Sequence, residues 1–299
     1  MGLKEWTKGR MGHGTWEASK SLFYLAKDSL MEALFAVLPK ESTREYLGYR
    51  LSYPTGSNMV NAVKDGEIYE EAICSMIEQE LKKRRDSCFV DIGANIGLIS
   101  LYVARKVPTA YIYSFEPGPS QFYFLEKNVR ENRLSFRMEL SSDAISDKEG
   151  VAEFFCHISR NSVNDGFIDT GKGNTKVRKA KKNLVRTVTL DSWWEERNRP
   201  RVGAVKLDTE GSELLCLRGG SKMITENAPI IFLEIMKDFL RQYSLEPDSV
   251  IAFFEKIGYE LFTNRNEKVD RDNFDEFLMK GENYCYCYCA RPKLVRSKT

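Results

Sequence analysis

The sequence predicts an α/β protein built on a doubly wound, mainly parallel sheet of seven strands with an antiparallel last strand. Three observations carry this. From about residue 67 onward, short apolar runs alternate with amphipathic helical segments, the pattern of a parallel sheet covered on both faces. The first run, "FVDIGANIGLIS", passes from strand through a glycine turn into a helix. The last two runs, "YELFTN" and "YCYCYCA", are separated by a charged loop with no helix. A parallel connection needs a crossover, so that pair must be antiparallel.

The elements follow in order. Residues 1–16 are glycine-rich and basic. A helix is expected over 16–38, with Leu22, Leu25, Ala26 and Leu30 at helical spacing and Pro39 ending it. Residues 40–68 are mixed, and "YPTGSN" reads as a turn. A helix over 67–83 places Ile73, Ile77 and Leu81 on one face. "SCFVDIG" is a strand and "IGLISLYVARK" a helix. "AYIYSFEP" is a strand, followed by the helix "PSQFYFLEKNVREN", whose Phe122, Leu125 and Val129 share a side and whose Pro119 suits a first turn. "SFRMELSSDAIS" holds the third strand. After the interruption at 147–200 come the strand "RVGAVKLD", the helix "SELLCLRGGSKMI", the strand "PIIFLEI" and the helix "PDSVIAFFEKIG". The expected organisation is a helical extension over 1–66 and a nucleotide-binding domain over 67–299, with 147–200 as an inserted hairpin or substrate loop.

Composition narrows the function classes. The chain has 299 residues and a formal net charge of +2, so no global field demands nucleic acid or a membrane surface. No apolar run reaches the ~18–20 residues of a membrane span. The first twenty residues lack a continuous apolar stretch, and Trp6 breaks the myristoylation pattern, so the expected compartment is the cytoplasm. Seven cysteines, an odd number, fit reduced thiols. Cys74, Cys88, Cys156 and Cys216 lie in apolar surroundings. Cys285, Cys287 and Cys289 alternate with tyrosines at period two, which describes a strand better than a zinc site, and His13 and His157 are the only histidines. No metal is expected.

Ligands of open α/β sheets bind beyond the carboxyl ends of the strands. Those ends carry Asp91-Ile92-Gly93, Glu116-Pro117, Asp143, Lys206-Leu207-Asp208-Thr209-Glu210 and Glu234. NAD would want G-x-G-x-x-G after the first strand. The turn here is Gly93-Ala94-Asn95-Ile96-Gly97, which misses that spacing, and Asp91 would repel a pyrophosphate while suiting an ammonium. "GFIDTGKG", residues 166–173, imitates a P-loop, but Gly173 stands where Ser or Thr should reach magnesium and no strand precedes it.

Four blocks, "VDIGANIGLIS", "SFEPGPSQFYFLEKNV", "VKLDTEGSELLCLRGG" and "IIFLEI", together resemble the FkbM-type family of S-adenosylmethionine-dependent methyltransferases over about residues 67–290. The pair "DIGANIG" and "KLDTEGSE" is the specific part. The resemblance implies the Rossmann-like class I methyltransferase fold, S-adenosylmethionine as cofactor, and methyl transfer to a hydroxyl of a small molecule or sugar. On that reading Asp91, Gly93, Asn95 and Gly97 surround the methionine part, Glu116 holds the ribose and Asp143 meets the adenine amino group. Asp208 or Glu210 acts as base or orients the acceptor. Lys206 joins this catalytic set, or pairs structurally with Glu213. Glu234 lines the acceptor side, and Asn161 and Asn164 offer polar groups for a hydroxyl substrate.

The basic run 172–186 lacks interleaved aromatics, which disfavours nucleic acid; a solvated loop is the expectation. Trp193 and Trp194 read as core. Oligomeric state has no signature here. The competing readings are methylation of RNA or protein, an S-adenosylmethionine-binding module without catalysis, and a dehydrogenase.

Overall fold

Parallel pairing around one central strand organises the fold. The computed structural model describes residues 41–55, 60, 66–156, 181–236, 240–241, 243–246, 248–274 and 287–292. All lie in the unit that runs from Glu41 onward. The chain runs β1 (Glu41–Tyr46), β2 (Tyr49–Pro54), α1 (Glu71–Lys83), β3 (Cys88–Ile92), α2 (Leu98–Lys106), β4 (Ile112–Phe115) and α3 (Pro119–Glu131). It continues with β5 (Met138–Ser141), β6 (Ala144–Ile145), β7 (Gly150–Cys156), β8 (Lys181–Val188), α4 (Leu190–Glu196), β9 (Val202–Leu207), α5 (Glu213–Gly219) and α6 (Ser221–Asn227). Last come β10 (Ile230–Glu234), α7 (Asp248–Lys256), β11 (Tyr259–Thr263), β12 (Lys268–Val269) and β13 (Cys287–Pro292).

The main sheet has the order β12-β11-β13-β10-β9-β3-β4-β5. Strand β13 is antiparallel to both β10 and β11. The described sheet therefore has eight strands and not seven. The addition is β12, a two-residue strand paired with Leu261 and Phe262, too short to leave a period-two signature.

Period-two alternation sends successive side chains of each strand to opposite faces. On one face Phe89, Ile112, Ala204 and Phe232 pack with Ile73, Ile77 and Leu81 of α1, Leu101 and Val103 of α2, and Phe124, Leu125 and Val129 of α3. On the other face Val90, Ile92, Val205, Leu207 and Leu233 pack with Trp193 and Trp194 of α4, Leu214 and Leu217 of α5, and Val250 and Phe254 of α7. Trp193 stands edge-on to Tyr113 and Phe115, with ring centroids 4.8 and 5.4 Å away. Both tryptophans are core residues.

Two segments depart from the sequence reading. Residues 41–54, placed in a helical extension, form the antiparallel hairpin β1–β2. Tyr46 and Leu51 are buried in the first core. Asn128 of α3 clamps the hairpin: it accepts from the Ser52 amide at 2.6 Å and donates to the Ser52 carbonyl at 3.0 Å. The expected helix over 16–38 lies outside the described residues.

The single helix expected after β9 is two, α5 and α6, broken at Gly219-Gly220. A β-carbon on Gly219 would stand 2.0 Å from the Ser146 carbonyl oxygen, so the chain passes too close for any side chain there.

Between 147 and 200, β7 and β8 pair antiparallel and β6 joins β8, making a separate three-stranded sheet. Part of the basic run is thus strand, with Lys182 paired to Glu153 and Arg186 to Asp143. The glycine stretch 166–173, His13, His157 and Cys285 lie outside the described residues. Among the described residues, no helix is long and apolar enough to cross a membrane.

Gly219→Ala is expected to destabilise the protein by about 1–3 kcal/mol, the cost of overpacking a close approach. Urea unfolding of the two proteins measures it; equal midpoints would mean the backbones separate without cost.

Candidate active site

Strand register builds the site. Ile92 lies opposite Leu207 and Phe115, and Leu233 lies opposite Leu207. The next residue of each strand therefore stands abreast at the carboxyl edge: Gly93, Glu116, Asp208 and Glu234. A cleft of about 600 Å³, its open mouth included, lies there. Gly93, Asn95, Glu116, Asp143, Asp208 and Glu210 line it.

The glycine turn is held from two sides. Gly93 has φ +76°, and a β-carbon there would meet the Asp208 carbonyl oxygen at 1.8 Å. Only glycine lets the first loop lie against the end of β9. Gly97, at φ +94°, begins α2 beside Leu125. Glu116 is almost buried, and its carboxylate accepts from the Asn95 amide at 2.9 Å and the Gly118 amide at 2.7 Å. An anion already sits on the backbone donor at Asn95, where a pyrophosphate would need one free. The cleft therefore suits a ligand with hydroxyls and positive charge.

Asp91 requires a correction. It was expected to face the ligand, but it does not line the cleft. Alternation points its side chain sideways under α2, where it is 1% exposed. Ser100 Oγ donates to it at 2.6 Å and Lys206 Nζ lies 3.8 Å away. Burial raises its pKa, while Lys206 and the Ser100 hydroxyl work against that rise.

Lys206 stands opposite Asp91 in the sheet register and shares its face. Its ammonium donates to the Gly93 carbonyl at 2.9 Å and to Asp208 Oδ2 at 3.1 Å. Burial alone would lower its pKa, but Asp208, Asp91 and Glu70 outweigh burial and raise it. Through these two bonds Lys206 ties the glycine loop to Asp208. Glu213 does not pair with it. Its Oε1 accepts from the Thr209 amide, the Thr209 hydroxyl and the Gly211 amide, which fixes the turn that carries Glu210. Glu210 holds a left-handed backbone, φ 54°, as does Asn95 at φ 52°.

Glu234 is brought beside Asp208. Burial raises its pKa well above the carboxylate range, and Asp208 and Glu210 add to the rise. Asp143 accepts from the Ser141 hydroxyl at 2.9 Å and from Arg186 of β8 through Nε at 2.8 Å and through a second guanidinium nitrogen. Asn161 and Asn164 lie outside the described residues. Among the described residues, no three His, Cys, Asp or Glu side chains gather as metal ligands.

Sequence reasoning missed Phe154, Gln121 and Glu70. Phe154 comes from β7 and joins Phe115, Ala144 and Ile145 as the apolar wall of the cleft. A phenylalanine in an insertion, next to Phe155, carries no signal of that role. Glu70 lines a neighbouring cavity with Lys206, Asp208 and Glu234. Its position before α1 reads in sequence as an ordinary acidic helix start.

Because the folded protein holds the Glu234 proton more tightly than the unfolded chain, this group favours folding at low pH. Its contribution is lost as pH rises from the ordinary carboxylate range through neutrality. Glu234→Gln keeps a donor towards Asp208 and is expected to flatten the decline of stability between about pH 5 and 9. Thermal melts at three pH values read this, and an unchanged slope would place the Glu234 proton elsewhere.

Comparison with known proteins places the chain in a family. Residues 91–261 match the Methyltransferase FkbM domain. Methyltransferase 1 of Beauveria bassiana is 29% identical over 45% of this chain and 58% of its own length. The 2-O-methyltransferase NoeI of Sinorhizobium fredii is 27% identical over 49% of this chain and 62% of its own. The 31-O-demethyl-FK506 methyltransferase FkbM of Streptomyces tacrolimicus is 24% identical over 56% of this chain and 74% of its own. The chain thus spans about six tenths of the length of the first two. A crystal structure of an FkbM methyltransferase from Methylobacillus flagellatus KT is similar at a TM-score of 0.40 and 16% identity, over 69% of this chain and 44% of that one. The chain belongs to the FkbM methyltransferase family.

Proposed function

We propose that the protein is an S-adenosylmethionine-dependent O-methyltransferase of the class I fold, acting on a hydroxyl of a small molecule or sugar. The observation that carries this is the Glu116 carboxylate on the Asn95 amide, at the head of a cleft edged by Asp208 and Glu210. Such a cleft repels phosphate and receives hydroxyls and cations. Family membership supports the methyl-transfer chemistry. Two relatives, a 2-O-methyltransferase and a 31-O-demethyl-FK506 methyltransferase, support an oxygen acceptor.

Bound S-adenosylmethionine would supply a methyl group activated on a sulfonium. The residues of this chain supply position and proton handling. The Glu116 carboxylate would accept from the ribose hydroxyls. Phe115, Ile145 and Phe154 offer an apolar wall to the adenine, with Asp143 at its edge. Asp208, anchored by Lys206, and Glu210, aimed by the Glu213-braced turn, orient the acceptor hydroxyl and receive its proton. Glu234 lines the acceptor side. We assign this role to a domain over 67–299, with the 147–200 insertion contributing to the substrate side.

Titration calorimetry with S-adenosylmethionine, using NAD as control, tests the cofactor. Binding of NAD alone would overturn the reading. Glu116→Ala is expected to weaken S-adenosylmethionine binding roughly ten- to hundred-fold, the range for loss of hydrogen bonds to a charged group. Asp208→Ala or Glu210→Ala is expected to spare that binding and abolish transfer of labelled methyl to an acceptor found in a hydroxyl panel. Normal turnover in all three variants would remove the site assignment.

A further inference from the structure

With Asp91 turned into the protein, the methyl donor's ammonium lacks the partner that the sequence suggested. Glu70 lines a second cavity beside the cleft. It immediately precedes α1 and has a left-handed backbone, φ 47° and ψ 49°. Ile73, Lys206, Asp208, Phe232 and Glu234 line the same cavity. Asp208 lines both this cavity and the cofactor cleft, so the two spaces adjoin at the end of β9.

We propose that Glu70 receives the ammonium group of the methionyl end of S-adenosylmethionine. The assignment rests on the reading of the cleft as the site of that cofactor. Three nearby carboxylates are engaged within the protein: Glu116 by two loop amides, Asp143 by Arg186, Asp91 by Ser100 and Lys206. A ligand anchored at Glu116 by its ribose runs along the strand ends towards Asp208, which also borders the cavity where Glu70 stands. An ammonium carries three donors, and a carboxylate at Glu70 offers it an acceptor of opposite charge.

The charges around Glu70 bear on its ionisation. Asp91 faces it from β3, Lys206 and Asp208 from β9 and the residue after it, and Glu234 lines the same cavity from β10. Tyr69 hydrogen-bonds to its carboxyl, and Cys74 lies beside it on α1. Burial pushes Glu70 up to about 7, with Lys206 opposing the rise and Asp208 adding to it. A cation arriving at this carboxyl draws off its proton. Affinity for S-adenosylmethionine should therefore rise with pH through neutrality, and binding should release protons. The rise ends where the ligand's own amino group begins to lose its proton, near the usual α-amino pKa of about 7.7–8.0.

The test is calorimetry of the full chain and of Glu70→Gln in buffers of different ionisation enthalpy. S-adenosylmethionine is compared with 5′-methylthioadenosine, which keeps the nucleoside and the S-methyl sulfur but lacks the sulfonium charge and the aminobutyrate chain with its ammonium. The expected result is roughly ten- to hundred-fold weaker S-adenosylmethionine binding in Glu70→Gln, proton release abolished, and 5′-methylthioadenosine affinity unchanged. The second ligand also reports an intact cleft. Glu70→Asp keeps the charge and should retain proton release with intermediate affinity. Equal loss for both ligands, or no loss for S-adenosylmethionine, overturns the role of Glu70 while leaving the cofactor reading in place. Failure of the unsubstituted protein to bind either ligand overturns both.

Discussion

The site depends on one buried ammonium. Lys206 Nζ ties the Gly93 carbonyl to Asp208 and lies within ion-pair range of Asp91. These groups come from the first loop and from two neighbouring strands, and their register sets them abreast. A carboxylate as buried as Asp91 is tolerated only beside a compensating charge. Removing one member of such a buried pair typically costs about 3–5 kcal/mol, because the other is left uncompensated. The same cation holds the glycine loop against β9 at the point where Gly93 admits no β-carbon. Loop conformation, Asp91 burial and Asp208 orientation are therefore one arrangement.

A second support reaches the loop from the other side. Glu116 fixes the Asn95 amide, and Asn128 of α3 donates to the Ile96 carbonyl at 2.9 Å. Asn128 also grips Ser52 of the β1–β2 hairpin, so that hairpin braces α3 and, through it, the cofactor loop. On the far wall, Arg186 of β8 holds Asp143, and β7 contributes Phe154. Segments on either side of the parallel α/β core thus complete a cleft that the strand ends begin.

Much of the site was legible where function follows from local pattern. The glycine spacing of "DIGANIG" marks a turn that lets backbone approach a ligand. The acids that end successive parallel strands must gather at one edge, and Glu116, Asp208 and Glu210 do line the cleft. Asp91 misled because residue type and position along the chain say nothing of which face a side chain takes. One residue before the strand end, alternation turns it under α2. Glu70 gave no sign because its partners lie on β3, β9 and β10, far along the chain.

The sequence by itself determined the alternation of strands and helices, the antiparallel closing strand, the glycine loop and the family. All are periodicities or short motifs whose physics acts between near neighbours. Tertiary structure alone decided that Lys206 ties the glycine loop to Asp208, that Asp91 is internal, that the acids are divided between two adjoining cavities, and that residues 41–54 are a hairpin. Each depends on register and burial between segments distant in sequence. There the charge on a side chain is set by what packs against it, not by its own identity.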